Sequence, residues 1–259
     1  MKKTERARRH SGKWRLIWRR LTRNKLAILG MFFVFVVVFS SIFANVLSPY
    51  DYSKQSLTET FLYPSAQHLM GTDNYGRDIL TRILFGGRIS LLVSLTAIAL
   101  ALVAGCLIGV TSGYFGGQVD GVLMRLMDII MAIPSFLLAI CISAALGSGV
   151  RNTAIAIAVG NIPSYARLMR AQVLGLKNQE FVEAARVSGA SHFRTMIRHI
   201  VPNTLSTIIV DSTLRIGGCI MIISSLSFIG LGVQPPTPEW GSMLASGRAY
   251  IRDFWPLVT

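Results

Sequence analysis

Residues 26–47 carry no charged side chain over 22 positions. At about 1.5 Å per residue such a run reaches roughly 33 Å as a helix, which is enough for the hydrocarbon core of a bilayer. There, only helices and closed barrels satisfy every backbone polar group, so a chain that opens this way is committed to a small set of folds. Further runs repeat the demand. Residues 89–110 are uncharged, residues 122–146 are apolar apart from Arg125 and Asp128, and residues 205–233 hold only Asp211 and Arg215. Residues 153–168 are apolar but broken by Gly160, Asn161 and Pro163, so this stretch is either a tilted helix or a partly unwound one. The runs predict an all-α polytopic membrane protein with five complete spans, and residues 255–259 read as the start of a sixth. Composition agrees, with 52% hydrophobic and 15% charged residues and a mean hydropathy of +0.52.

The charge is placed unevenly. Of 26 Lys and Arg residues, eleven fall in residues 1–25 against one acid, Glu5, directly ahead of the first apolar run. This asymmetry predicts a basic cytoplasmic tail over 1–25 and an outward first span over 26–47, and the same residues suit anionic lipid. Residues 48–88 carry four bases and four acids, lack that bias, and are expected to form an extracytoplasmic loop. A net charge of +14 also raises nucleic acid as a partner, but no aromatic platform or recognised module accompanies it, so none is expected. In the third run Arg125 and Asp128, at i and i+3, are expected to pair, and Pro134 to kink the helix.

The remaining stretch, residues 177–203, is polar and basic. Phe181, Ala184, Ala185 and Ser188 share a helical face made mostly of small side chains, which Gly189 can end in a left-handed cap. Ser191 is a plausible N-cap for a second helix. Phe193, Met196, Ile197, Ile200 and Val201 then recur at helical spacing until Pro202, which is expected to stop the pattern. From pattern alone this is an amphipathic hairpin lying at a membrane surface.

Its spelling is more specific. Glu183-Ala184-Ala185, three residues, Gly189 and a spacer to Pro202 resembles the EAA loop of ABC importer permeases. The run Arg198-His199-Ile200-Val201-Pro202-Asn203 resembles that of the peptide and nickel permease subgroup. Three other strings point the same way. His68-Leu69-Met70-Gly71-Thr72-Asp73-Asn74-Tyr75-Gly76-Arg77-Asp78, otherwise read as an Asx turn before a short surface helix, is similar to a signature of the C-type subunit. Residues 224–232 and 235–241 resemble two further strings of that subgroup, although many members carry Glu where this chain has Ile223. The resemblance covers nearly the whole chain and implies a type I ABC importer transmembrane domain, with a permease core over 89–259. It also implies that the last helix of the family is missing here.

It further implies partners: a second homologous permease, two ABC ATPases, an extracytoplasmic binding protein and the bilayer of the cell membrane. Glu183, Ala184, Ala185, Gly189 and Pro202 would then couple to an ATPase. Di- or oligopeptides are the implied cargo, with nickel, glutathione or oligosaccharide as alternatives. Asp211 and Arg215, at i and i+4, are either a pair at the interface or groups lining the path, and Ser224 and Ser227 are further path candidates.

No phosphate-binding G-x-x-x-x-G-K-[ST], zinc-type H-E-x-x-H or G-x-S-x-G string occurs, so no catalytic residue, metal or cofactor is expected. Cys106, Cys141 and Cys219 stand alone in apolar runs and read as packing residues. An ion-coupled secondary transporter would need intramembrane carboxylates of its own. The candidates, Asp128 and Asp211, each have an Arg within one turn. An intramembrane enzyme is weakened by the missing strings.

Overall fold

The computed structural model describes residue 22 and residues 24–257; the basic tail expected over 1–25 lies almost entirely outside them. The described chain divides into two units, residues 1–49 and 50–259. In the first unit, α1 (Lys25–Ile42) starts at Asn24, whose side chain accepts from the Leu26 and Ala27 amides. Phe32, Phe33, Val34 and Phe35 are all exposed, as suits a helix surrounded by hydrocarbon. The helix breaks at Phe43, and Ala44–Leu47 is a separate turn, so the 22-residue run is not one rod.

The second unit is built on α2 (Ile79–Phe115), 37 residues and about 55 Å long. It begins ten residues before the span expected at Ile89. Charge was the misleading cue. Arg82 is buried, with Nε 3.6 Å from Asp73 and Nη1 donating to the carbonyls of Tyr52 and Pro236 at 3.2 and 3.4 Å. A cation given these acceptors can sit inside a helix start.

Of the Asx turn and short surface helix expected between His68 and Asp78, the turn is present at Asp73 and the surface helix is not. Asp73 Oδ1 accepts from the Tyr75 and Arg77 amides, and its Oδ2 pairs with Arg77 Nε at 2.7 Å. Asp78 caps α2 through Oδ2, which accepts from the Thr81 amide and hydroxyl, while its Oδ1 lies 2.9 Å from His68 Nδ1. Gly71 and Gly76 have φ of +81° and +70°, and a Cβ on either would run into the backbone of Leu62 or Ser56. This segment is a tight polar plug locked onto the first turn of α2.

At Gly116 (φ +68°) the chain turns into α3 (Gly117–Met131), then bends by 84° into α4 (Ser135–Leu146). Pro134 stands in the break, so the expected kink is a sharp corner. Asp128 does not pair with Arg125. It meets Arg167 of α5 (Val150–Leu176) at 2.6 Å, because the long helix supplies a cation across the bundle.

α5 is continuous through Gly160, Asn161 and Pro163, which resolves the two readings in favour of a helix; Asn161 donates to the Ile157 carbonyl at 2.9 Å. It packs along α2 at a seam of small residues. A Cβ on Gly105 would lie 2.5 Å from Tyr165 Cβ, one on Gly109 would overlap the Ala166 carbonyl, and one on Gly113 would lie 2.9 Å from Val173 Cβ. Glycine at i, i+4 and i+8 therefore lets the two backbones touch. Val93, Ala97, Ile157, Tyr165, Ile223 and Leu226 fill one core beside this seam.

A short helix, α6 (Glu180–Val187), leads to α7, continuous over His192–Phe228. Pro202 does not stop it. Met196–Ile200 form a π turn, and Pro202 sits in the first turn of the regular helix that begins at Val201. A proline ring would clash with the carbonyl four residues back in an α-helix; the wider turn makes room, and Asn203 Nδ2 donates to the His199 carbonyl. After α7 the chain folds back through α8 (Trp240–Gly247). The fully buried Glu239 caps α8 through the Gly241 and Ser242 amides and accepts from Ser90 at 3.3 Å, while Trp240 Nε1 donates to the Ile83 carbonyl. Trp255–Leu257 is one 3₁₀ turn, and the last two residues of the expected sixth span lie outside the described ones.

Among the described residues, α1, α2 and α7 are long and apolar enough to cross a membrane, and α3 with α4 makes a fourth if the bent pair counts as one span. α5 is 27 residues long but carries Asn152, Asn161, Arg167 and Arg170. Together they make a helical multi-pass membrane protein.

Candidate coupling hairpin

The hairpin between α5 and the regular part of α7 is shaped locally. Glu180 and Glu183 occupy the first turn of α6, where the helix dipole favours a carboxylate. The helix ends in a Schellman motif: the Gly189 amide donates to the Arg186 carbonyl at 2.9 Å and the Ala190 amide to the Ala185 carbonyl at 3.0 Å. Gly189 has φ +81°, and nothing lies within 4 Å of where its Cβ would be. Ser191 then caps α7, accepting from the Arg194 amide at 3.3 Å.

The faces differ from those expected. Val182, Thr195, Met196 and Ile200 are buried, whereas Phe193 and Ile197 are 70% and 45% exposed. Met196 and Ile200 thus take the inner side expected of them, while Ile197 lies within the π turn, where a strict 3.6 period no longer holds, and Phe193, ahead of that turn, also faces outward. Glu183 and Ala184 are exposed and Ala185 half-buried. Phe181, Ala184, Ala185, Ser188, Arg194 and His199 line an open groove of about 520 Å³. The hairpin thus presents small side chains, a bare glycine and two basic groups outward.

Three connections hold this end of the bundle. Arg170 forks onto Asp120 at 2.6 and 2.5 Å, joining α5 to α3, and Ser112 of α2 donates to the same carboxylate. Lys177 donates to the Gly113 carbonyl at 3.3 Å. Tyr114 Oη lies 2.9 Å from His192 Nδ1, and Arg186 Cζ stands 5.1 Å from the centre of the Tyr114 ring. The sequence reading missed Tyr114. Its signal was an aromatic at the end of a long apolar run, where interfacial rings gather.

The other candidates fall elsewhere. Asp211 and Arg215 do pair, Oδ2 to Nε at 2.5 Å, about midway along α7 and partly exposed. Arg215 also stands over the Tyr165 ring at 5.2 Å, and Tyr165 Oη donates to Ser212 at 3.0 Å. Ser224 and Ser227 both lie against the segment that follows α7. Ser224 meets Gly241 so closely that a Cβ there would overlap its backbone, and Ser227 Oγ accepts from the Val233 amide at 3.2 Å. Among the described residues no cluster of His, Cys, Asp or Glu is arranged to hold a metal, and the three cysteines are unbridged.

Long apolar helices seamed by glycine, with an exposed small-residue hairpin at one end, define a helical multi-pass membrane component. Residues 101–256 match the family model for the binding-protein-dependent transport system inner membrane component, and residues 12–64 match that for the N-terminal transmembrane domain of oligopeptide transport permease C. A di/tripeptide transport system permease from Pseudomonas aeruginosa is 43% identical over 93% of this chain and 82% of its own length. A dipeptide permease from Alkalihalophilus pseudofirmus is 42% identical over 93% and 79%. A glutathione transport system permease from Shigella dysenteriae is 44% identical over 91% and 78%. In fold, the chain resembles an inward-facing structure of the MetNI methionine ABC transporter, with TM-score 0.54 and 16% identity over 67% of this chain and 82% of that one. The chain belongs to the binding-protein-dependent ABC importer permeases and is of the DppC/OppC-like type. Such permeases work with other components of an ABC importer, and the relatives are transport proteins rather than enzymes.

Proposed function

We propose that this chain is one of two permease subunits of an importer in the cytoplasmic membrane, with its N-terminus in the cytoplasm. Two ATPases drive it and an extracytoplasmic binding protein delivers di- or oligopeptides. Hydrolysis occurs in the ATPases, and this chain contributes the path and the coupling surface. Peptide cargo is favoured over nickel or oligosaccharide because two relatives are named for di- and tripeptides and the third for glutathione, itself a short peptide. The N-terminal orientation rests on the eleven bases of residues 1–25.

The observation that carries the coupling role is the outward face of the hairpin. Among the described residues other than its two chain neighbours, nothing lies within 4 Å of where a Gly189 Cβ would stand, which leaves that face bare for a partner. Ala184, Ala185 and Gly189 let a groove on an ATPase close on the hairpin backbone, with Glu183 at the helix start and the π turn ahead of Pro202 setting the exit of the chain into the regular part of α7. Gly189→Arg places a long side chain on that face and strains a left-handed backbone. It should leave the permease in the membrane while abolishing uptake and co-purification of the ATPase, whereas Arg194→Gln at the groove rim should do much less. Normal uptake and co-purification for Gly189→Arg would remove the coupling role.

A further inference from the structure

The hairpin has two places where it can give. Gly189 stands in open space at φ +81°, and over Met196–Ile200 a π turn interrupts the regular α-helix. A displacement imposed on α6 could be absorbed at either place and never reach the long helices. What opposes this is a small apolar cluster, in which Val182, Met196 and Ile200 meet Val110 and Val173, and one polar contact.

That contact centres on Tyr114, next to the last residue of α2. Its hydroxyl lies 2.9 Å from His192 Nδ1, with the two rings in a T-shaped pair 5.6 Å apart. Its ring face lies under Arg186. A single side chain therefore touches both halves of the hairpin, Arg186 on α6 and His192 in the first turn of α7. Tyr114 is 7% exposed, and its ring cannot swing aside without leaving the apolar cluster. Behind it, α2 runs without a break to Asp78 and is seamed to α5 at Gly105, Gly109 and Gly113.

We infer that Tyr114 is a positioning residue for energy coupling: through His192 and Arg186 it clamps the hairpin to α2, so that a push on α6 moves the α2–α5 pair instead of bending the hairpin at Gly189 or the π turn. The inference rests on the coupling role proposed above. It assigns a specific task to the hydroxyl, since a phenylalanine would keep the ring in the cluster and under Arg186 while deleting the bond to His192.

The test uses the assembled importer in proteoliposomes with a labelled dipeptide, alanyl-alanine, and reads uptake per ATP hydrolysed. Cross-linking of Ser188→Cys to the ATPase is measured in parallel. Tyr114→Phe and His192→Leu should each lower the ratio by about fivefold, as loss of one partly buried hydrogen bond allows, with cross-linking unchanged. The double variant should be no worse than either single one. His192→Asn, which keeps an acceptor near the Nδ1 position, should recover most of what His192→Leu loses. An unchanged ratio in Tyr114→Phe overturns the clamp, and so does loss of cross-linking in that variant, because Tyr114 would then serve docking. If the Ser188→Cys chain with Tyr114 intact fails to cross-link, the coupling role itself fails and the clamp falls with it.

Discussion

α2 is held in two different ways along its second half. Against α5 it is held backbone to backbone: at Gly105, Gly109 and Gly113 there is no room for a methyl group. Against the hairpin it is held by side-chain tips, the Tyr114 hydroxyl and a few aliphatic groups, around a glycine with nothing near it. Close backbone packing tolerates almost no change of volume, while tip contacts can be remade after a displacement. The seam is therefore the part of the fold least able to absorb a change, and the hairpin, where the ATPase contact is proposed, is the part most able to.

The largest effect should come from enlarging the seam. Gly109→Leu must push α2 away from the Ala166 carbonyl and Met169, costing about 3 kcal/mol or more, and should strongly reduce the folded permease recovered from membranes. Gly121→Ala provides the contrast. Gly121 lies inside α3 with open space around it, so alanine should be neutral or raise the melting temperature slightly through helix propensity. Equal losses for the two variants, measured as thermal melting of the purified complex, would mean that the seam is not specially tight.

A smaller effect is expected on the other side of Tyr165, where Asp211 and Arg215 attach by tips as the hairpin does. Removing one member leaves a partly buried charge without its partner, whereas Asp211→Asn with Arg215→Gln leaves none. The double variant should import nearly normally and each single variant less well. Failure of the double variant with normal assembly would place the pair on the cargo path instead.

What could be read from sequence was local. Gly189 as a left-handed cap and Ser191 as an N-cap follow from residues within a turn of each other, and both are present. The apolar runs likewise announce the long helices. What could not be read depends on partners far along the chain. Arg82 looked like a loop charge because its acceptors, the carbonyls of Tyr52 and Pro236, come from distant segments, and Asp128 found Arg167 rather than its near neighbour Arg125. Ile197 leaves the packed face because it falls within the π turn, which breaks the 3.6 period, while Phe193, ahead of that turn, shows that helical spacing alone does not say which apolar residues are covered.

The proposed orientation puts the hairpin in the cytoplasm and the plug before α2 outside, and cysteine accessibility tests it most directly. Ser65 and Ser188 are both exposed in the structure, so neither fold nor burial would hide a probe. In a background with Cys106, Cys141 and Cys219 replaced, Ser65→Cys should react with an impermeant maleimide added to intact cells. Ser188→Cys should react only after the membrane is opened. Reaction of Ser188→Cys from outside would contradict the orientation and, with it, the assignment of this hairpin as the surface an ATPase drives.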